Sequence, residues 1–98
     1  LMSSVSVASH EDATLMVPTR FSLGFMKSVD NRALPNSANC SMILSEDAFG
    51  HVGAGGSIGF ASPDAKMSFG YAMNRQGDGV LMNDRGQSLI DAAYRSLE

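Results

Sequence analysis

Tryptophan is absent from the 98-residue sequence, and cysteine occurs once, at Cys40. A lone thiol excludes an internal disulfide and a thiolate metal centre built from this chain alone, and it points to a reducing compartment. No apolar run approaches the ~20 residues of a membrane helix. The start, Leu1-Met2-Ser3-Ser4, lacks the basic and apolar regions of a signal peptide. The expectation is therefore a soluble, cytoplasmic protein with no membrane partner. Positive charge is scarce as well. Seven Lys and Arg stand against ten Asp and Glu, a net charge of −3, so no sequence-wide basic field invites nucleic acid or anionic lipid. Charged residues make up only 17% against 44% apolar, too hydrophobic a balance for a disordered chain. This length suits one compact domain, or part of one, and excludes a two-domain enzyme with an interdomain cleft. Leu1 is not a natural start, so an upstream part is expected.

Ser3, Val5 and Val7 alternate weakly with Ser4 and Ser6, as a short strand or a loop would. Phe21, Leu23 and Phe25 repeat every second residue, which predicts a half-buried strand over Phe21–Lys27. Ser28 to Ser45 is rich in Ser, Asn and Asp and holds Pro35. It reads as a surface loop that Met42-Ile43-Leu44 pins to the core. Further strands are expected at Ala48–Ala54, Gly56–Ala61 and Lys66–Met73, the last two joined by a turn with Pro63 at its second position. Asn74 to Asn83, with Gly77-Asp78-Gly79, reads as a loop. Asp84 then caps a helix, with Gln87 completing a capping box. Leu89, Ile90, Ala93, Tyr94 and Leu97 recur at helical spacing and should face the sheet. The fold class is α+β, an antiparallel sheet of about four strands with a C-terminal helix packed on it. Phe21, Ile58, Phe60 and Phe69 are expected in the core. Asp12, Asp47 and Asp64 sit beside turn residues and read as solvated surface rather than catalytic acids.

The cluster Gly53, Gly55, Gly56 and Gly59 invites a phosphate-loop reading. It lacks the Gly-Lys-Ser/Thr ending, and a strand instead of a helix follows, so close backbone approach is the better account. His51 by itself reads as a strand histidine satisfied by a backbone carbonyl.

The run Phe49-Gly50-His51-Val52-Gly53-Ala54-Gly55-Gly56-Ser57-Ile58-Gly59-Phe60-Ala61-Ser62-Pro63-Asp64, followed by Phe69-Gly70-Tyr71-Ala72-Met73-Asn74-Arg75, resembles the C-terminal end of the β-lactamase-like serine hydrolases. These include class C β-lactamases, D-alanyl-D-alanine carboxypeptidases and family VIII carboxylesterases. Asn83 to Tyr94 looks like the family's last helix, and Phe21–Phe25 like an earlier core strand. The resemblance runs from about Pro18 onward, and it implies that residues 1–98 are the C-terminal part of a β-lactamase-like domain. His51-Val52-Gly53 matches the histidine version of the motif that is Lys-Thr-Gly in β-lactamases, on the strand edging the active site. By that match Ala54 supplies a backbone N–H to the oxyanion hole. His51 is then a donor facing the site, and Val52, Gly53 and Gly55 line it, with small residues leaving backbone exposed to a substrate carbonyl.

This sequence departs from the family pattern at several points. Val52 replaces a threonine hydroxyl, and a histidine stands where the lysine would be charged. Ser-x-x-Lys, the nucleophile motif, is absent, because Gly24 and Pro63 stand three residues before Lys27 and Lys66. Neither Tyr71 nor Tyr94 supplies the Tyr-x-Asn shuttle; Tyr94-Arg95-Ser96 lies in the helix, as a packing tyrosine would. The resemblance thus implies one wall of an acyl-transfer site that acts on a small ester or amide substrate. It needs no metal or cofactor, its partner is the upstream part of the same domain, and the isolated chain is expected to be inactive. The alternative is a non-catalytic scaffold or partner-docking module derived from that fold, with a sheet edge open to other chains.

Overall fold

A computed structural model of the chain describes residues 2–34 and 40–98. Six strands form one antiparallel sheet: β1 (Val7–Ser9), β2 (Thr19–Phe21), β3 (Met26–Lys27), β4 (Phe49–Val52), β5 (Ile58–Ser62) and β6 (Met67–Tyr71). Spatial order follows chain order, β1-β2-β3-β4-β5-β6, and the described residues hold one helix, α1 (Asp84–Arg95). The expected α+β class holds, with six strands where about four were expected. Both additional strands come from the N-terminal third. Val7–Ser9 pairs with Thr19–Phe21, and the single strand expected over Phe21–Lys27 is instead the tight β2–β3 hairpin, with Phe21 opposite Met26. Ser22 N–H donates to Phe25 O at 2.8 Å, and Gly24 takes a φ of +93°, a conformation that glycine reaches without steric cost. Leu23 and Phe25 accordingly lie at the exposed tip.

The best-formed part is β4–β5–β6. Phe49 to Val52 pair with Ala61 to Ile58, and Ile58 to Ser62 pair with Tyr71 to Met67. Alternation assigns the two faces. Gly50, Val52, Ile58, Phe60, Phe69 and Tyr71 share the inner face, and Phe49, His51, Gly59, Ala61, Ser68 and Gly70 the outer one. Ile58 and Phe60 are buried with Met26, Val29, Met42, Leu44, Ala48, Leu81, Met82 and Ile90. The connecting turn sits one residue later than expected: Lys66 N–H donates to Pro63 O at 3.1 Å, so Pro63 opens the turn, and Lys66 takes a φ of +52°.

Met42 and Leu44 do pin the long loop, aided by the bridges Val29↔Met42 and Ser41↔Met82. The segment 35–39, with Pro35, lies outside the described residues. Helix α1 packs on the inner face through Gly86, Ile90 and Tyr94, four residues apart, with the Tyr94 ring stacked on Phe60 at 6.1 Å. Leu89 and Leu97, expected to face the sheet, are 47% and 55% exposed, because the face turned to the core is centred on Gly86, Ile90 and Tyr94. The cap is Asn83, not Asp84: the Asn83 side chain accepts from Gly86 N–H, and no Asp84–Gln87 capping box forms. Gln87 instead clamps the loop, accepting from Ile43 N–H and donating to Ile43 O. Among the described residues no helix is long and apolar enough to cross a membrane.

Candidate active site

Strand β4 carries the His51-Val52-Gly53 motif and delivers it to one end of the sheet. Within the sheet it lies between β3 and β5. The end of β4 that carries His51 and Val52 is nonetheless open on one side. Pairing with β3 covers only Phe49 and Gly50, and stops where the β2–β3 hairpin turns back. The start of β4 is held by a buried lysine, Lys27, whose Nζ donates to Ala48 O at 2.7 Å. Burial pushes the Lys27 ammonium below its usual range, against the pull of Glu46 and Asp47.

His51 is exposed on the outer face, near the Phe21 ring at 6.2 Å. Its Nδ1 lies 2.7 Å from the Val52 carbonyl oxygen. A carbonyl only accepts, so Nδ1 is the donor in this contact. Val52 is half-buried on the inner face opposite Ile58.

Beyond Val52 the chain reverses in a tight turn. Gly53 N–H donates to Ser57 O at 2.9 Å and Gly56 N–H to Gly53 O at 3.1 Å. Gly55 and Gly56 have φ of +94° and +114°, which confines both positions to glycine. Gly55 is buried and fully engaged. Its N–H donates to Gly79 O, and its carbonyl accepts from Gly77 N–H and Asn83 Nδ2, both at 2.9 Å. Ala54, between these anchored glycines, is exposed, and its N–H finds no acceptor among the described residues. The turn therefore presents the Ala54 amide on a rigid backbone.

The three aspartates read as surface serve as braces. Asp12 accepts from Thr14 N–H, Leu15 N–H and Thr19 Oγ1, and these bonds, led by the Leu15 amide, hold its carboxyl below the usual range. Asp47 accepts from Asp64 N–H and Ser45 Oγ. The hydrogen bond with Asp47 pushes the Asp64 carboxyl up. Among the described residues no three His, Cys, Asp or Glu gather as a metal site.

No protein-family model matches the chain. Solved structures do. A novel penicillin-binding protein homolog from Caulobacter crescentus superposes over 97% of the chain with a TM-score of 0.74 at 33% identity. A family VIII carboxylesterase covers 96% with a TM-score of 0.72 at 36% identity. Over 74% of the chain, the sequence is also 33% identical to the esterase/beta-lactamase LipL of Mycobacterium tuberculosis. The chain fits a piece of the β-lactamase-like serine hydrolase fold. It spans 14% of the length of LipL and 23% of each of those two solved structures.

Two residues that hold this β-lactamase-like turn escape a reading by motif. Asn83 bridges the helix start and Gly55, and the Gln76 side chain lies where a Cβ on Gly55 would go. The only local signal for Asn83 was its place beside Asp84 at a helix start, where either residue type caps.

Proposed function

We propose that this chain supplies one wall of the acyl-transfer site of a serine hydrolase acting on small carboxylic esters, with Ala54 N–H as an oxyanion donor. The observation that carries the proposal is the exposed, unclaimed Ala54 amide on a turn whose neighbours are locked by hydrogen bonds. A preorganised N–H of this kind stabilises charge developing on a tetrahedral intermediate and is worth about 3 kcal/mol. Serine attack, oxyanion formation and hydrolysis of the acyl-enzyme by water then follow, with the nucleophile and its base supplied by the upstream part of the domain. His51 lines the same wall, and Val52 and Gly53 set the strand's direction.

Replacing the donor tests this. Ala54→Pro removes the N–H and should lower kcat of the assembled enzyme by roughly 10²–10³-fold. Ala54→Ser keeps the N–H and should leave activity largely intact. His51→Ala should act mainly on KM, because contact with the site wall is shared by ground and transition states. An unchanged kcat in a folded Ala54→Pro protein overturns the assignment.

A further inference from the structure

Asn83 is buried, and both ends of its side-chain amide are engaged. Oδ1 accepts from Gly86 N–H at 3.1 Å, in the first turn of α1, and Nδ2 donates to Gly55 O at 2.9 Å. A donor facing one end and an acceptor facing the other fix which way the amide points. Glycine makes room for it: a Cβ on Gly56 or on Gly77 would run into Nδ2.

The Gly55 carbonyl belongs to the peptide whose N–H is that of Gly56, and Gly56 N–H donates to Gly53 O at 3.1 Å. The Gly53 carbonyl in turn belongs to the peptide whose N–H is that of Ala54. A planar trans peptide points its C=O and N–H in opposite directions, so a bond accepted at one end is passed on at the other. The Arg85–Gly86 peptide, the Asn83 side chain and the Gly55–Gly56 and Gly53–Ala54 peptides therefore form one run of amides. Hydrogen bonds join them head to tail, and the run ends on the exposed Ala54 N–H. It starts at the positive end of the α1 dipole. Bonds in such a chain polarise one another, each by about 10–30%.

We infer that Asn83 is a positioning residue of the acyl-transfer site: its amide couples the start of α1 to the Gly53–Ala54 peptide, aiming the Ala54 N–H and polarising it as a donor. The inference rests on the reading of Ala54 as the oxyanion donor. Gly77 N–H also donates to Gly55 O, at 2.9 Å, so losing Nδ2 weakens the run without breaking it.

Two substitutions that keep the helix cap test this in the assembled protein, with p-nitrophenyl butyrate as substrate. Asn83→Ser retains an acceptor for the start of α1 but has no donor for Gly55 O. Asn83→Asp retains the shape and sets an oxygen against that carbonyl. A change of about 10–30% in a donor worth about 10²–10³-fold predicts that Asn83→Ser lowers kcat by roughly 2- to 8-fold at unchanged KM, and Asn83→Asp by more. In ¹⁵N-alanine-labelled protein the Ala54 amide proton should move upfield in the same order. A purely structural role would instead lower the folded fraction, leaving kcat per folded molecule and the Ala54 shift as in wild type, and that result overturns the inference. The inference needs kcat and the Ala54 shift to move together; either one moving alone while Ala54→Pro abolishes turnover overturns it and leaves the oxyanion reading standing. If Ala54→Pro leaves kcat unchanged, the oxyanion reading fails and the catalytic role of Asn83 falls with it; the Ala54 shift then reports only whether the run of amides exists.

Discussion

Replacing Gly50 by alanine should separate β4 from β5 and displace the strand that carries His51 and Val52. Gly50 is buried at the centre of the sheet, between Met26 of β3 and Phe60 of β5. A Cβ there would lie 2.6 Å from both Phe60 Cα and Phe60 Cβ and still closer to the Gly59 carbonyl oxygen. These are largely backbone atoms and cannot swing aside. Normal contact is about 3.5–4.0 Å, so the strands must part by about 1 Å. Four residue pairs, Phe49↔Ala61 to Val52↔Ile58, depend on that spacing. Their hydrogen bonds contribute about 0.5–1.5 kcal/mol each, so Gly50→Ala should cost roughly 2–5 kcal/mol. A domain of this size loses about 4–8 °C of Tm per kcal/mol, which puts the fall at about 10 °C or more.

Gly59, in the adjacent register position, is the control. A Cβ there meets nothing within 4 Å, and its φ lies outside the left-handed region. Gly59→Ala should raise stability by about 0.4–1 kcal/mol by restricting the unfolded chain. Thermal melts followed by circular dichroism, with urea titrations for m-values, read both. A Gly50→Ala protein melting within about 2 °C of wild type, or a Gly59→Ala protein falling as far as Gly50→Ala, would refute the β4–β5 register.

The isolated 98-residue chain should hydrolyse p-nitrophenyl acetate no faster than background and should not be labelled by a fluorophosphonate; burst kinetics on a chain of verified mass would contradict this. Asn83→Ala removes both the cap on Gly86 and the bond to Gly55, and should cost about 2 kcal/mol in urea titrations. Asn83→Asp should fall between wild type and alanine, since it keeps the cap but sets a carboxylate against the Gly55 carbonyl. Asp12, whose carboxyl the folded state holds below its ordinary value, contributes stability that is present at neutral pH and lost as pH falls through the folded-state value. The Tm deficit of Asp12→Ala, measured from pH 7 down to pH 3, should therefore shrink with acidification; a constant deficit would remove Asp12 from the pH response.

Alternation made β5 and β6 legible, because Ile58, Phe60, Met67, Phe69 and Tyr71 each fall on one face of a strand that continues through them. The same alternation misled at Phe21, Leu23 and Phe25, where a four-residue hairpin tip reproduces a period of two and only Gly24 marks the reversal. For α1, the spacing revealed a helix but overstated its contact, since leucines at positions 89 and 97 look as apolar as the residue that is buried, Ile90. Within the candidate site, the small residues at positions 53–56 indicated close backbone approach. What holds them in place was not readable, because Gln76, Gly77, Gly79 and Asn83 reach Gly55 from far along the chain. Such long-range bonds leave no periodic trace.

The sequential strand order has a consequence for how the sheet comes together. Each pairing joins neighbours along the chain, so β5–β6 and β4–β5 close over the short turns at Pro63–Lys66 and Gly53–Ser57. Closing a short loop costs little entropy compared with joining distant segments, so this three-strand unit can act as a local nucleus. The β3–β4 pairing spans residues 28–48 and must follow at greater entropic expense. Substitutions that weaken the β5–β6 hairpin should then slow refolding, whereas those in β1 or β2 should mainly speed unfolding. The strand that carries His51 and Val52 would reach its final geometry early, before the N-terminal third has added its edge.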